Sequence, residues 1–161
     1  MIRIHLLCVG KPSERHYRDA CAEYEKRLGG LCRLTITESE ESRLPDRPSD
    51  AQISAAVDSE GRRMLSKADP SSVIIAMCIE GKPMSSVEFA NYLSRSAVSG
   101  NGSFSLFIGG SWGLSDEIKS RASLRLSMSP MTFPHQLARV MVYEQTYRVL
   151  NLLNGGKYHK V

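Results

Sequence analysis

Apolar residues fall along this chain in two alternating rhythms. Short, dense apolar runs of the kind that buried strands make occur near 2–9, 32–38, 72–79, 104–108 and 124–128. Between them lie stretches with helical spacing. Tyr17, Cys21, Tyr24 and Leu28, spaced by four, three and four, predict a first helix that follows Ser13 and ends at Gly29-Gly30. A second helix is predicted from about Ser49 to Lys67, and a third from a cap at Ser85 or Ser86 to about Val98. Ser115, followed by Asp116 and Glu117, predicts the capped start of a short fourth helix, and a last helix runs from Pro134 to about Leu153. Strand and helix alternate throughout, the pattern of a single α/β domain on a mainly parallel sheet with helices on both faces.

Between Glu38 and Asp50 the chain turns polar and carries Pro45 and Pro48, which predicts a mobile surface loop within the domain. Gly81-Lys82-Pro83 is expected to stop the third strand, and Ser99-Gly100-Asn101-Gly102-Ser103 reads as a flexible turn. The last helix is apolar on nearly every side, from Leu137 and Val140 to Leu152 and Leu153. Such a helix must be buried on several sides, and a second copy of the chain is the simplest cover, so a twofold homodimer is expected. Burial wholly within one subunit is the other reading. Glu144 and Arg148 stand one turn apart and can pair, and Arg139 and Arg148 are expected at the dimer interface.

Composition narrows the picture only modestly. With 161 residues, 42% hydrophobic and 24% charged, the chain is an ordinary soluble domain, and no apolar run approaches the roughly 20 residues of a membrane helix. Ile2 to Val9 is too short for a signal peptide, so a cytoplasmic protein is expected. Cys8, Cys21, Cys32 and Cys78 have no zinc-like spacing and read as free thiols, mostly in the core. A net charge of +4 favours a polyanionic partner without naming one.

The loops carry more chemistry than the totals. The first strand ends in Val9-Gly10-Lys11-Pro12, which lacks the glycine fingerprint of a dinucleotide fold, and Gly109-Gly110-Ser111-Trp112-Gly113 lacks the lysine of a phosphate loop. Met77 to Gly81, the turn at Gly109, and Met128 to Phe133 are expected side by side at the carboxyl edge of the sheet, where open α/β folds bind ligands. The mix of apolar side chains and close backbone suits an adenine ring and a thioether chain.

Ile108-Gly109-Gly110-Ser111-Trp112-Gly113-Leu114, Met131-Thr132-Phe133-Pro134-His135-Gln136-Leu137-Ala138-Arg139-Val140, Glu144-Gln145-Thr146-Tyr147-Arg148 and Tyr158-His159-Lys160 together resemble the RlmH-type methyltransferases of the SPOUT superfamily. Val9-Gly10-Lys11, Tyr24 to Leu28, Glu60-Gly61 and Gly81-Lys82-Pro83 extend the resemblance over essentially the full length. It implies a homodimeric α/β domain with a C-terminal trefoil knot that binds S-adenosylmethionine and methylates N3 of a pseudouridine in large-subunit ribosomal RNA. It also implies cofactor contacts at Met77, Gly109, Met128, Ser129, Pro130, Met131, Thr132 and Phe133, with Pro130 removing one backbone donor from that loop.

A uracil-type N3 must lose its proton, and His135 and His159 are the candidates to handle it, with Tyr158 placed to stack on a base. Arg121, Arg125, Lys157 and Lys160 are phosphate candidates, and the tail of one subunit is expected to complete the pocket of the other. Two other readings stay open: a ribosome-binding module without catalysis, and a methyltransferase for transfer RNA or a different ribosomal nucleotide.

Overall fold

The period of two in the first strand decides the layering. In the computed structural model, which describes residues 1–160, β1 (Arg3–Val9) packs Ile4, Leu6 and Cys8 into one core and Leu7 and Val9 into another. Val161, the end of the tail considered above, lies outside the described residues. The chain continues as α1 (Arg15–Gly29), β2 (Arg33–Ser39), α2 (Asp50–Leu65), β3 (Val73–Pro83) and α3 (Ser86–Val98). It ends with β4 (Ser103–Ile108), α4 (Asp116–Arg121), β5 (Leu124–Ser127) and α5 (His135–Leu153). All strand neighbours are parallel, in the order β2-β1-β4-β3-β5. Helices α1, α3 and α5 pack together over the larger core, and α2 and α4 meet over the smaller one. The strand buried at every residue is β4, so the turn that follows it leaves from the middle of the sheet.

Local chemistry explains the starts of the helices. Ser49 with Gln52, and Ser85 with Glu88, form reciprocal capping boxes, and the Ser115 hydroxyl accepts from the Ile118 amide. Each of these caps falls within a residue of its predicted start.

Three expectations change. Gly81-Lys82-Pro83 does not end β3: Met77 and Lys82 both pair with Leu126, so the residues between them arch away from β5 before the strand resumes. A Cβ on Gly81 would come within 2.7–2.9 Å of the Arg125 and Leu126 backbone, so glycine is what lets the chain rejoin its neighbour. The loop after β2 is not free at its start, because the buried Glu60 carboxylate accepts from the Ser42 amide (2.7 Å) and Arg63 donates to the Glu40 carbonyl (2.8 Å). Arg139 lies inside the subunit rather than on an outer face. Its guanidinium donates to the Gly10 carbonyl (3.2 Å) and the Tyr143 hydroxyl (3.1 Å) and pairs with Glu38, joining α5 to both β1 and β2.

Burial opposes the charge on Arg139, but Cys8, Tyr143 and Glu38 around it raise its pKa above the ordinary value. The Cys8 thiol beside it is pushed up to about 11 by burial. Arg148 pairs with Glu144 one turn away, at 2.9 Å from its Nε, and every residue of α5 is buried or half-buried. No helix among the described residues is long and apolar enough to cross a membrane.

Candidate functional site

His135 opens α5, and its place follows from how that helix is fastened. Gln136 exchanges two hydrogen bonds with Ser13, donating to its hydroxyl (2.8 Å) and accepting from its amide (2.9 Å). With Arg139 on Gly10, this locks the first two turns of α5 against the chain leaving β1. The turn after β4 closes on itself through the Gly113 amide and Gly110 carbonyl (3.1 Å), with Gly113 at φ +78. That turn brings the Ser111 hydroxyl to 3.3 Å from His135 Nδ1.

Two further segments complete the enclosure. Loop 128–134 is braced from within: the Ser129 hydroxyl accepts from the Met131 amide (3.0 Å), and the Ser127 hydroxyl donates to the Ser129 carbonyl (3.1 Å). The arch of β3 is tied to α4 by Lys119 and Glu80 at 2.6 Å, and the hydrogen bond from Lys119 holds the Glu80 carboxyl below its usual pKa. These segments surround a cavity of about 560 Å³ at the carboxyl edge of the sheet, inside the roughly 300–1,000 Å³ range of small-molecule sites. Met77, Ile108, Leu114, Leu126, Phe133 and Val142 give it apolar walls, while the glycine turn contributes bare backbone.

A methyl donor with an adenine ring and a short polar chain fits these residues. A Cβ on Gly109 would stand 2.5 Å from the Gly113 carbonyl group, so the turn can close beside the cavity only with glycine there.

Of the residues expected to contact a cofactor, Met77, Gly109, Met128, Ser129, Met131, Thr132 and Phe133 line this cavity, and so does His135. Pro130 does not. It is exposed, within the short turn that the Met131 amide closes by donating to the Ser129 hydroxyl. Tyr158 and His159 are not at the cavity of their own chain. The Tyr158 amide donates to Asn151 Oδ1 (3.1 Å), its hydroxyl donates to Glu144 (3.3 Å), and its ring packs edge-on to Tyr147 and under Arg148. Burial in this cluster raises the Tyr158 pKa.

The cavity also uses residues to which the sequence assigned no individual role, although Glu80 and Ser111 lie in segments expected at its edge: Ser111 as partner of His135, Glu80 and Lys119 as a clasp, and Ala138 and Val142 as a wall. The last two were readable, since 135, 138 and 142 fall on one helix face. The clasp joins elements far apart in sequence and left no local signal. A second cavity of about 460 Å³ shares the wall formed by Met77, Leu126, Met128 and Val142 and opens toward Tyr24, Ser86 and Glu144.

A family model described as "Predicted SPOUT methyltransferase" matches residues 2–159. The chain is 42% identical over 159 residues to "Ribosomal RNA large subunit methyltransferase H" of Clostridium beijerinckii, covering 99% of this chain and 100% of that protein. It is 41% identical, with the same coverage, to the protein of that name from Carboxydothermus hydrogenoformans. Among solved structures, a probable methyltransferase from Bordetella pertussis superposes with a TM-score of 0.56 at 18% identity, over 92% of this chain and 96% of that one.

Proposed function

Because this chain belongs to the SPOUT methyltransferase family, we propose that it transfers the methyl group of S-adenosylmethionine to N3 of a pseudouridine in large-subunit ribosomal RNA. The observation that carries this reading is the cavity at the carboxyl edge, where the glycine turn, loop 128–134 and His135 converge. The full-length likeness to proteins named for large-subunit ribosomal RNA methylation supports the choice of substrate. A ribosomal substrate implies a cytoplasmic enzyme.

The donor would be held by Met77, Gly109, Met128, Ser129, Met131, Thr132 and Phe133, and when bound it supplies an electrophilic methyl group on a sulfonium. His135 would take the proton that N3 must release when it accepts the methyl group. This role requires the tautomer in which Nδ1 donates to the Ser111 hydroxyl, 3.3 Å away, so that Nε2 keeps the lone pair for that proton. The apolar walls and the backbone of the glycine turn would serve by confining the donor beside His135.

A twofold homodimer built on α5 belongs to the same reading. Glu144 and Asn151, which anchor Tyr158, lie nine and sixteen residues beyond His135, about 13 and 24 Å along the helix axis. The tail is thus remote from the cavity of its own chain. If two copies of α5 cross antiparallel near Glu144, midway along the helix, Leu153 of each comes beside His135 of the other, and Tyr158 and His159 reach the partner's substrate. We also infer that the C-terminal half is threaded as a trefoil knot, against the general preference for unknotted connections. The meeting of the Gly109 turn, loop 128–134 and the start of α5 around one cavity supports this.

The test has two parts. Calorimetric titration with S-adenosylmethionine is expected to show saturable uptake, and mass mapping of large-subunit RNA from cells with and without the protein is expected to show one missing methyl mark. Uptake without a missing mark would sink the substrate; no uptake would sink the enzyme.

A further inference from the structure

Three of the most exposed large apolar side chains among the described residues ring the mouth of the same cavity: Ile79 (50% exposed), Trp112 (55%) and Met131 (71%). Single exposed apolar residues are common on soluble proteins and need no explanation. These three come from separate segments, the β3 arch, the turn after β4 and loop 128–134, and converge on one opening. A convergent apolar rim marks a place where a partner is expected. Trp112, the only tryptophan of the chain, sits in a turn closed by the Gly110–Gly113 bridge, so its ring is presented from a fixed support.

Charge selects the occupant and its direction of approach. Trp112 also borders a shallower groove toward α2 that carries Asp50, Asp58 and Asp116, a surface that repels phosphate. The basic residues near the mouth are Lys119, which lines it and pairs with Glu80 in the clasp, and the exposed Arg125, whose Nε donates to the Lys119 carbonyl (2.9 Å) and whose charge acts on Glu80. A flat apolar ring beside a cationic edge suits a nucleobase whose backbone passes over the cations. We propose that Trp112, flanked by Ile79 and Met131, is a stacking platform for a nucleobase of the RNA substrate, holding the strand while the acceptor base enters the cavity. This rests on the RNA-methylating reading and adds to it a residue that selects substrate.

Steady-state kinetics with large ribosomal subunits purified from cells lacking the protein, and with labelled S-adenosylmethionine, test the platform. Base–aromatic stacking predicts that Trp112→Ala raises KM for the subunits roughly 5- to 100-fold. KM for the donor is expected to change far less, and Trp112→Tyr to restore most of the loss. An unchanged subunit KM overturns the proposal. So does a donor KM that rises in step, since the ring would then belong to the donor pocket, and so does loss of a dimer on sedimentation, since a second copy would then cover the rim. If the wild-type protein methylates no subunits, the RNA-methylating reading fails separately. The platform is then judged by Trp112 fluorescence, in protein saturated with S-adenosylhomocysteine and titrated with a uridine oligonucleotide: quenching sustains it, and no response ends it.

Discussion

Gly109 and Gly102 are both glycines flanking β4, yet they answer to different constraints. A methyl group at Gly109 would press on the Gly113 backbone, which has no flexible end to swing away, while a methyl group at Gly102 would meet nothing within 4 Å. Overpacking of this kind costs about 1–3 kcal/mol, and here the strain is relieved only by opening the turn that lines the cavity. Gly109→Ala is therefore expected to weaken S-adenosylmethionine binding at least tenfold, roughly 1.4 kcal/mol, and to lower the melting temperature. Gly102→Ala is expected to leave both unchanged, as calorimetry and thermal melts on the pair will show. At this scale the sequence was legible where the backbone itself demands glycine, through crowding at Gly109 and through a left-handed φ at Gly113. It was silent where a role depends on a distant partner: nothing near Ser111 in the chain announces that His135 lies 3.3 Å from its hydroxyl.

Helix α5 shows what an element gains from one buried charge. Its apolar residues would pack it on the sheet in several neighbouring registers, but Arg139 can reach Gly10 of the chain leaving β1 and Glu38 of β2 together in only one. That register sets the position of His135 one turn earlier. Removing the guanidinium leaves Glu38 facing the interior uncompensated, so Arg139→Met is expected to destabilise the fold by roughly 2–4 kcal/mol. Adding Glu38→Gln should recover a good part of that, because the uncompensated charge is gone. Urea unfolding of the single and double variants measures the coupling, and simple additivity would contradict the clamp. The strands and helices themselves were readable because period and caps are local, as at Ser49, Ser85 and Ser115. The continuation of β3 past Gly81 was not, since a glycine that ends a strand and one that lets it press on a neighbour look alike until β5 is in place. Arg139 was misplaced for a similar reason. An arginine on an apolar helix is usually sent to an interface or to solvent, and the partners that hold this one inside, Gly10 and Glu38, come from the far end of the chain.

For the whole molecule, the separation of Tyr158 and His159 from their own cavity is the fact that matters. The tail is fastened to Asn151 near the end of α5 and to Glu144 at its middle, whereas His135 stands at its start. Two arrangements would let both ends of one helix serve a single reaction: the tail detaches and returns along its own subunit, or it serves a second copy. Mixed dimers separate them. One parent carries His135→Ala with an intact tail, the other keeps His135 but lacks residues 157–161, and each alone is expected to be nearly inactive. If the tail works across the interface, a mixed dimer holds one site with both His135 and a tail, and one with neither. Equal, fully exchanged mixtures would then regain about a quarter of wild-type specific activity, because half the dimers are mixed and each has one working site of two. If the tail serves its own subunit, no pairing brings the two parts together and the mixture stays as inactive as its parents. Methyl incorporation into ribosomal RNA before and after subunit exchange reads the difference, with S-adenosylmethionine binding to each parent as the control that its cavity has folded.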